Sequence, residues 1–283
     1  MERLESCLLC GADAGMARVV QEREGHALVR CPDCGLVYAN PQYTDAELAR
    51  LYEVHYYGAG DAFGGGSAEK ERARNRPLYV VVLRDLLRRY PRLRPRPGAP
   101  VRVLDFGCGP GYFLAECRDL GMEASGIEFS PPAAGYARAR LGLDVRDDWR
   151  QALAELPEGG FELVCLWEVL EHLRRPREAV EALVRALAPG GVFCVTTPSL
   201  GCWRYYIEGA RWFNMQNPTH VVFFGRETLG RLLRECGLAG VVRPVFWGGR
   251  PGFGPLANFA QYLARAAGLG SDLRLYARRP TGG

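Results

Sequence analysis

The sequence predicts an α/β fold in which a glycine loop joins a buried strand to a helix, with more strand–helix units behind it and a small cysteine-rich module in front. Three observations carry this expectation. In Val101 to Gly111, VRVLDFGCGPG, the apolar residues Val101, Val103, Leu104 and Phe106 read as a buried strand, and Gly107, Gly109 and Gly111 mark a tight turn into the amphipathic run 112–120. Apolar runs and helical runs then alternate as far as Pro198, the pattern of a parallel sheet covered by helices. Near the start, Cys7, Cys10, Cys31 and Cys34 form two CxxC pairs.

Composition bounds the answer. A chain of 283 residues, 48% of them hydrophobic, has room for one α/β domain of about 180 to 200 residues and an appendage. Its 36 basic and 32 acidic residues are interspersed, giving a net charge of +4 without any block of like charge, so nothing points to nucleic acid. No stretch reaches the roughly 18 uncharged apolar residues that cross a bilayer, and Met1 to Cys10 has no apolar signal core. The expectation is a cytoplasmic protein with no membrane partner, whose cysteines are thiols or metal ligands. Monomer and homodimer both stay open.

Residues 1–42 read as a zinc-ribbon-like module. Each CxxC pair is followed by glycine, Gly11 and Gly35, which lets backbone N–H groups turn toward the sulfurs. Four thiolates leave zinc no open position, so Cys7, Cys10, Cys31 and Cys34 are expected to hold a structural Zn²⁺; a redox CxxC is the rival. The alternating run His26 to Arg30 suits a hairpin between the pairs, with His26 half-exposed. Cys108, Cys117, Cys165, Cys194, Cys202 and Cys236 are single and read as small buried hydrophobes.

Residues 43–98 read as a helical cap and linker. Thr44-Asp-Ala-Glu47 has the form of a capping box, so a helix should start there with Leu48, Leu51 and Tyr52 inward. The glycine-rich 61–67 is either a linker or a segment that closes over a ligand. Residues 68–90 carry Leu78, Val82, Leu86 and Leu87 at helical spacing, with a kink or restart at Pro77, and four prolines in 91–100 lead into the domain 99–283.

The glycine loop is not a phosphate loop. The dinucleotide fingerprint needs a glycine where Tyr112 stands, and the phosphate-loop pattern needs a lysine, whereas the only lysine in the chain is Lys70. What remains, Asp105-x-Gly107-x-Gly109-x-Gly111 with Glu128 ending the next strand in GIEFS, resembles motif I of the class I S-adenosylmethionine (SAM) methyltransferases. Further resemblances follow in order. EVLEHL at 168–173 comes after a strand at 161–166, LAPGGVFCVTTPS spans 187–199 with a turn at 188–191 and a strand at 192–197, and Thr219 to Leu229 is similar to the family's His-x-x-x-Phe-Ser stretch. Glu162 stands where relatives have aspartate. The opening segment, with its knuckles, Asn40-Pro41, a short helix and Tyr56-Tyr57, resembles the N-terminal zinc-binding segment of bacterial sugar C-methyltransferases.

The resemblance implies a Rossmann-like class I methyltransferase fold with a seven-stranded sheet of order 3-2-1-4-5-7-6. The last two strands would come from 238–246 and 273–277, with a helix at 256–267. It implies SAM as cofactor, with Asp105, Gly107, Cys108, Gly109, Gly111 and Tyr112 around its methionine part, and Glu128 and Phe129 at the ribose. Asp147 and Asp148 would lie at the adenine edge, a solvated helix cap being the other reading, and Trp167 would lie near the cofactor.

Methyl transfer from a sulfonium is an in-line displacement, so alignment dominates and a base is needed only for a hydroxyl or carbon acid. His220 and His172 are the candidate bases; His55 reads as structural. Glu168, Glu171 and His172 are similar to a cluster in quinone O-methyltransferases read as a divalent-metal site. Acceptor contacts are expected from Glu171 and, in the aromatic insert 200–218, from Trp203, Tyr206, Arg211 and Trp212. The leading expectation is a methyltransferase for a small molecule: a sugar, sugar nucleotide or natural-product intermediate, modified on oxygen or carbon. An RNA or protein methyltransferase gripping its substrate with the zinc module is the alternative, disfavoured because no Asn/Asp-Pro-Pro-Tyr/Phe follows strand 161–166. A non-catalytic SAM-binding scaffold is the third.

Overall fold

A computed structural model describes residues 1–52, 67–245 and 270–281. The expectations placed on His55, Tyr56, Tyr57, the glycine-rich 61–66 and the helix at 256–267 lie outside these residues. In chain order the strands are β1 (Arg18–Arg23), β2 (His26–Arg30), β3 (Val37–Asn40), β4 (Arg102–Phe106), β5 (Glu123–Ile127), β6 (Asp144–Arg146), β7 (Phe161–Trp167), β8 (Leu187–Pro198), β9 (Val222–Phe223), β10 (Ala239–Gly240), β11 (Arg243–Val245) and β12 (Asp272–Arg278). The helices are α1 (Asp45–Tyr52), α2 (Ser67–Arg89), α3 (Tyr112–Asp119), α4 (Pro131–Leu141), α5 (Trp149–Ala154), α6 (Pro176–Ala186), α7 (Trp203–Glu208), α8 (Phe213–Gln216) and α9 (Arg226–Glu235).

The main sheet runs β10-β12-β8-β7-β4-β5-β6, and β11 also pairs with β12. This is the expected order 3-2-1-4-5-7-6, with the sixth strand delivered as two short pieces, β10 and β11. Strands β4, β5, β6 and β7 pair in parallel, as strand–helix–strand crossovers require. The expected turn at 188–191 is instead the start of β8, where Gly190 adopts φ +70°. No described helix is long and apolar enough to cross a membrane.

Contacts divide the chain into two units that are discontinuous in sequence. One gathers 1–51, 168–180 and 195–276; the other gathers 52–167, 181–194 and 277–283. In the first, β1 and β2 form the expected hairpin, β3 adds to β2, and β9 adds to β3 as a fourth strand, Val37 opposite Phe223 and Tyr38 opposite Val222. Residues 1–42 therefore share their sheet with a segment far along the chain. Apolar cross-strand pairs on both faces explain the pairing: Leu28, Val37, Tyr38, Val222 and Phe223 are all buried. His26 is buried too, at 6% exposure against Tyr43, rather than half-exposed. Helix α1 begins with the predicted box: the Thr44 N–H donates to Glu47 Oε2 (2.7 Å) and the Glu47 N–H to Thr44 Oγ1 (3.3 Å).

In the second unit, β4, β5, β6 and β7 carry Val103, Leu104, Phe106, Ile127, Leu163 and Val164 into the core. Helix α2 runs unbroken through Pro77; no restart occurs there. Helix α3 buries Phe113, Leu114 and Cys117 as its spacing predicts, whereas Leu120, expected on that face, follows the last helical turn and is 46% exposed.

Candidate functional site

The glycine loop follows β4 and opens α3. Gly107, Gly109 and Gly111 all have positive φ (+78°, +56° and +78°), conformations that side chains resist. They do different work. A Cβ on Gly111 would lie 2.6 Å from Leu143 Cδ1, so this glycine lets α3 pack; a Cβ on Gly109 would meet nothing within 4 Å, so its face is open. The Gly109 N–H donates to Glu128 Oε2 at 2.6 Å and the Ser130 N–H to Oε1 at 2.8 Å. Glu128 thus follows β5 as a brace across the loop, with the Phe129 N–H also directed at its carboxylate. Burial raises its pKa while those N–H donors pull the other way.

Asp105 is 1% exposed, and its Oδ1 has no hydrogen-bond partner. Burial, and then the Glu128 carboxylate, hold its pKa well above the usual range. An orphaned buried acceptor beside an open glycine face fits a ligand that brings an ammonium and hydroxyls, as SAM does. Cys108 is buried and its Sγ would press on any side chain at Gly126, 2.5 Å from a Cβ there. Phe129 sits edge-on to Phe106 (5.2 Å) and Trp149 (5.3 Å), Tyr112 to Tyr136 (6.2 Å), and Trp167 to Phe113 (5.2 Å). Asp147 and Asp148 are engaged on the surface instead: Arg138 Nη2 donates to Asp147 at 2.9 Å, and Arg146 Nε to Asp148 at 2.9 Å. Asp148 also precedes α5 as its N-cap residue, without a side-chain capping hydrogen bond.

In the other unit, the segment after Trp167 turns sharply, with Glu168 at φ +55°, a strained position for a side chain. Glu171, His172 and His220 converge, and one ligand atom from each lies within 4.8 Å of the others. The His172 and His220 rings stack edge to face, centroids 4.6 Å apart. His172 Nδ1 lies 3.0 Å from Thr219 O and Nε2 lies 3.9 Å from Glu171 Oε1. Since a carbonyl only accepts, Nδ1 carries the hydrogen and Nε2 is left with its lone pair. Asn217 Oδ1 accepts from both the Thr219 N–H (3.0 Å) and its hydroxyl (2.8 Å), fixing that carbonyl.

Burial holds His172 down at about 4 and His220 well below the ordinary imidazole value, so both are neutral at pH 7. Glu171 accepts from the Thr197 hydroxyl at 2.9 Å, yet burial pushes it up to about 8. Glu168 is likewise held well above the ordinary carboxylate value by burial, Glu171 and Asp272. Two neutral imidazoles and a carboxyl can move a proton, and the same atoms can hold a divalent cation. The triad contains His220 and not Glu168, which was the expected third ligand. Thr197, Asn217 and Asp272 were missed by sequence reasoning. The TTP end of β8 was a usable signal for Thr197, whereas nothing local marks Asp272.

The insert holds α7 and α8. Trp203, Tyr206 and Phe213 are exposed, and so is Arg211. Trp212, expected to touch the acceptor, is 2% exposed and packs edge-on to Tyr205 at 6.0 Å, so its ring serves the interior.

The four cysteines of the N-terminal pairs come together as expected. Cys7 and Cys34 Sγ are 3.6 Å apart, Cys10 and Cys31 Sγ 3.5 Å, and all four lie within 4.8 Å. Zn–S bonds of about 2.3 Å place tetrahedral sulfurs about 3.8 Å apart, so this donor set fits zinc.

A family model described as "Methyltransferase domain" matches residues 73–242. The ubiquinone biosynthesis O-methyltransferase of Burkholderia vietnamiensis is 30% identical over 149 residues, which cover 50% of this chain and 62% of that relative. The crystal structure of a SAM-dependent methyltransferase from Archaeoglobus fulgidus shares the fold at a TM-score of 0.52 and 20% identity, covering 81% of this chain and 98% of its own. Geranyl diphosphate C-methyltransferase from Streptomyces coelicolor A3(2) does so at 0.52 and 18%, covering 78% and 86%.

Proposed function

Since this chain belongs to the class I SAM-dependent methyltransferase family, we propose that it transfers a methyl group from SAM to oxygen or carbon of a small-molecule acceptor: a sugar, sugar nucleotide or natural-product intermediate. The observation that carries the reading is the pairing of an open Gly109 face with the buried, loop-bracing Glu128. SAM supplies, when bound, a methyl group activated by the sulfonium. The residues for holding it are Asp105, whose orphaned oxygen takes an ammonium, the loop around Gly107 and Gly109, and Glu128, whose carboxylate takes a ribose hydroxyl.

Acceptor activation falls to the histidines. His172 Nε2 is an unprotonated nitrogen held in place through Nδ1 by Thr219, and His220 is a neutral ring against it. Either can take the proton of an acceptor hydroxyl or carbon acid as the bond to methyl forms; Glu171 beside them lies in place to exchange it. The structural zinc and the acceptor contacts of Trp203, Tyr206 and Arg211 belong to the same proposal.

The test is methyl transfer by His220→Asn and His172→Asn. A base contributes about 10²- to 10⁴-fold, so one of the two is expected to lose transfer on that scale while still binding S-adenosylhomocysteine (SAH). Because His172 protonates only near pH 4, its share of the rate is expected to be flat from pH 8 to pH 6 and to fall only as pH drops toward 4. Wild-type rates in both variants would contradict base catalysis by either ring.

A further inference from the structure

One arginine in the acceptor-side unit is held by backbone carbonyls. Arg23 closes β1, opposite His26 at the hairpin end, and reaches the segment before β9: Nη1 donates to His220 O at 3.3 Å and Nη2 to Met215 O. Its Cζ lies 5.9 Å from the Phe223 ring centroid. No carboxylate pairs with it among the described residues, in contrast to Arg174 with Glu2 and Asp45, Arg177 with Glu235, and Arg204 with Glu208.

A guanidinium has five N–H donors in a planar fork. Two of them go to the carbonyls, which fix the plane of the group, and three remain. Carbonyl partners do not neutralise the charge, and burial accordingly lowers the Arg23 pKa to about 10. The hairpin sends a second such arginine to the same insert: Arg30 donates from Nη1 to Gly35 O (3.3 Å) and from Nη2 to the Tyr205 hydroxyl (3.1 Å), again with no carboxylate among the described residues. A held, uncompensated fork against the backbone of His220 suits paired anionic oxygens, which it can bind with two parallel hydrogen bonds.

We infer that Arg23 recognises an anionic group, a phosphate or a carboxylate, on the methyl acceptor, and so presents that acceptor to His220. This rests on the proposed methyl transfer. It gives the N-terminal module a part in choosing the substrate.

The test is calorimetry on zinc-loaded, SAH-saturated protein, with inorganic pyrophosphate and benzoate as probes. Wild type is expected to bind at least one of them; Arg23→Gln weakens it at least about tenfold, as loss of a charge-assisted pair requires. Arg23→Lys is expected to fall between the two, and Arg226→Gln, an exposed control on α9, to match wild type. Preference for pyrophosphate assigns a phosphate-bearing acceptor, and preference for benzoate a carboxylate. Zinc content and SAH affinity report folding in each variant; if Arg23→Gln loses them, Arg23→Lys decides. Equal probe binding in wild type and Arg23→Gln, or no probe binding in wild type that does bind SAH, overturns the inference and leaves methyl transfer standing. Failure of wild type to bind SAH counts against methyl transfer itself.

Discussion

Glu128→Ala is expected to weaken SAH binding about a hundredfold or more while leaving the zinc module folded. Two contributions add. The variant removes a carboxylate placed to accept from ribose hydroxyls, and charge-assisted hydrogen bonds contribute roughly 1.5–3 kcal/mol each. It also removes the acceptor that holds the Gly109 and Ser130 N–H groups at 2.6 and 2.8 Å, so the loop loses its brace. At 1.4 kcal/mol per tenfold, even about 3 kcal/mol gives that hundredfold. The loop glycines divide the outcomes further. Gly109→Leu fills an open face and is expected to abolish binding with little loss of stability beyond the cost of φ +56°, roughly 1–2 kcal/mol. Gly111→Ala, 2.6 Å from Leu143, is expected to lower the melting temperature instead. Unchanged SAH affinity in Glu128→Ala would remove Glu128 from the cofactor site.

Removal of zinc is expected to have the other large effect. Structural zinc contributes about 10–16 kcal/mol of binding free energy, comparable to the 5–15 kcal/mol that stabilises a whole domain. The purified protein should carry about one zinc per chain, and chelation or Cys34→Ser should melt the sheet that Cys7, Cys10, Cys31 and Cys34 anchor. The damage should extend beyond residues 1–42. Strand β9 pairs with β3, the Val221 N–H donates to Glu171 O at 2.9 Å, and Arg23 holds the His220 carbonyl. Methyl transfer should therefore fail before SAH binding does. Zinc-free protein with free thiols and an unchanged melting temperature would contradict a structural role.

Those two predictions also mark what the sequence made legible. The glycine loop, Glu128 and the cysteine pairs are local patterns: strand period, turn glycine and ligand spacing are all set within a few residues. The order of the sheet was legible only through the resemblance, since periodicity does not say which strands are neighbours. What stayed hidden depends on distant pairing. Nothing near Val222 announces that it extends the sheet of Val37 and Tyr38, and Arg23 reads as an ordinary strand arginine until its carbonyl partners, nearly two hundred residues away, are in place. Trp212 illustrates a different limit. An aromatic in a long insert suits a binding surface or a packed interior equally well, and only its contact with Tyr205 decides. Asp147 and Asp148 carried two readings from the start, and each pairs with an arginine nearby in sequence, Arg138 nine residues before Asp147 and Arg146 two before Asp148.

The most direct measurement is incubation with methyl-labelled SAM in the presence of fractionated small metabolites, RNA and protein, with the products separated and weighed. Label in a small molecule of unchanged skeleton plus one methyl group, dependent on Glu128, is the expected result. Label confined to RNA or protein, or label that never leaves SAM, would contradict the account.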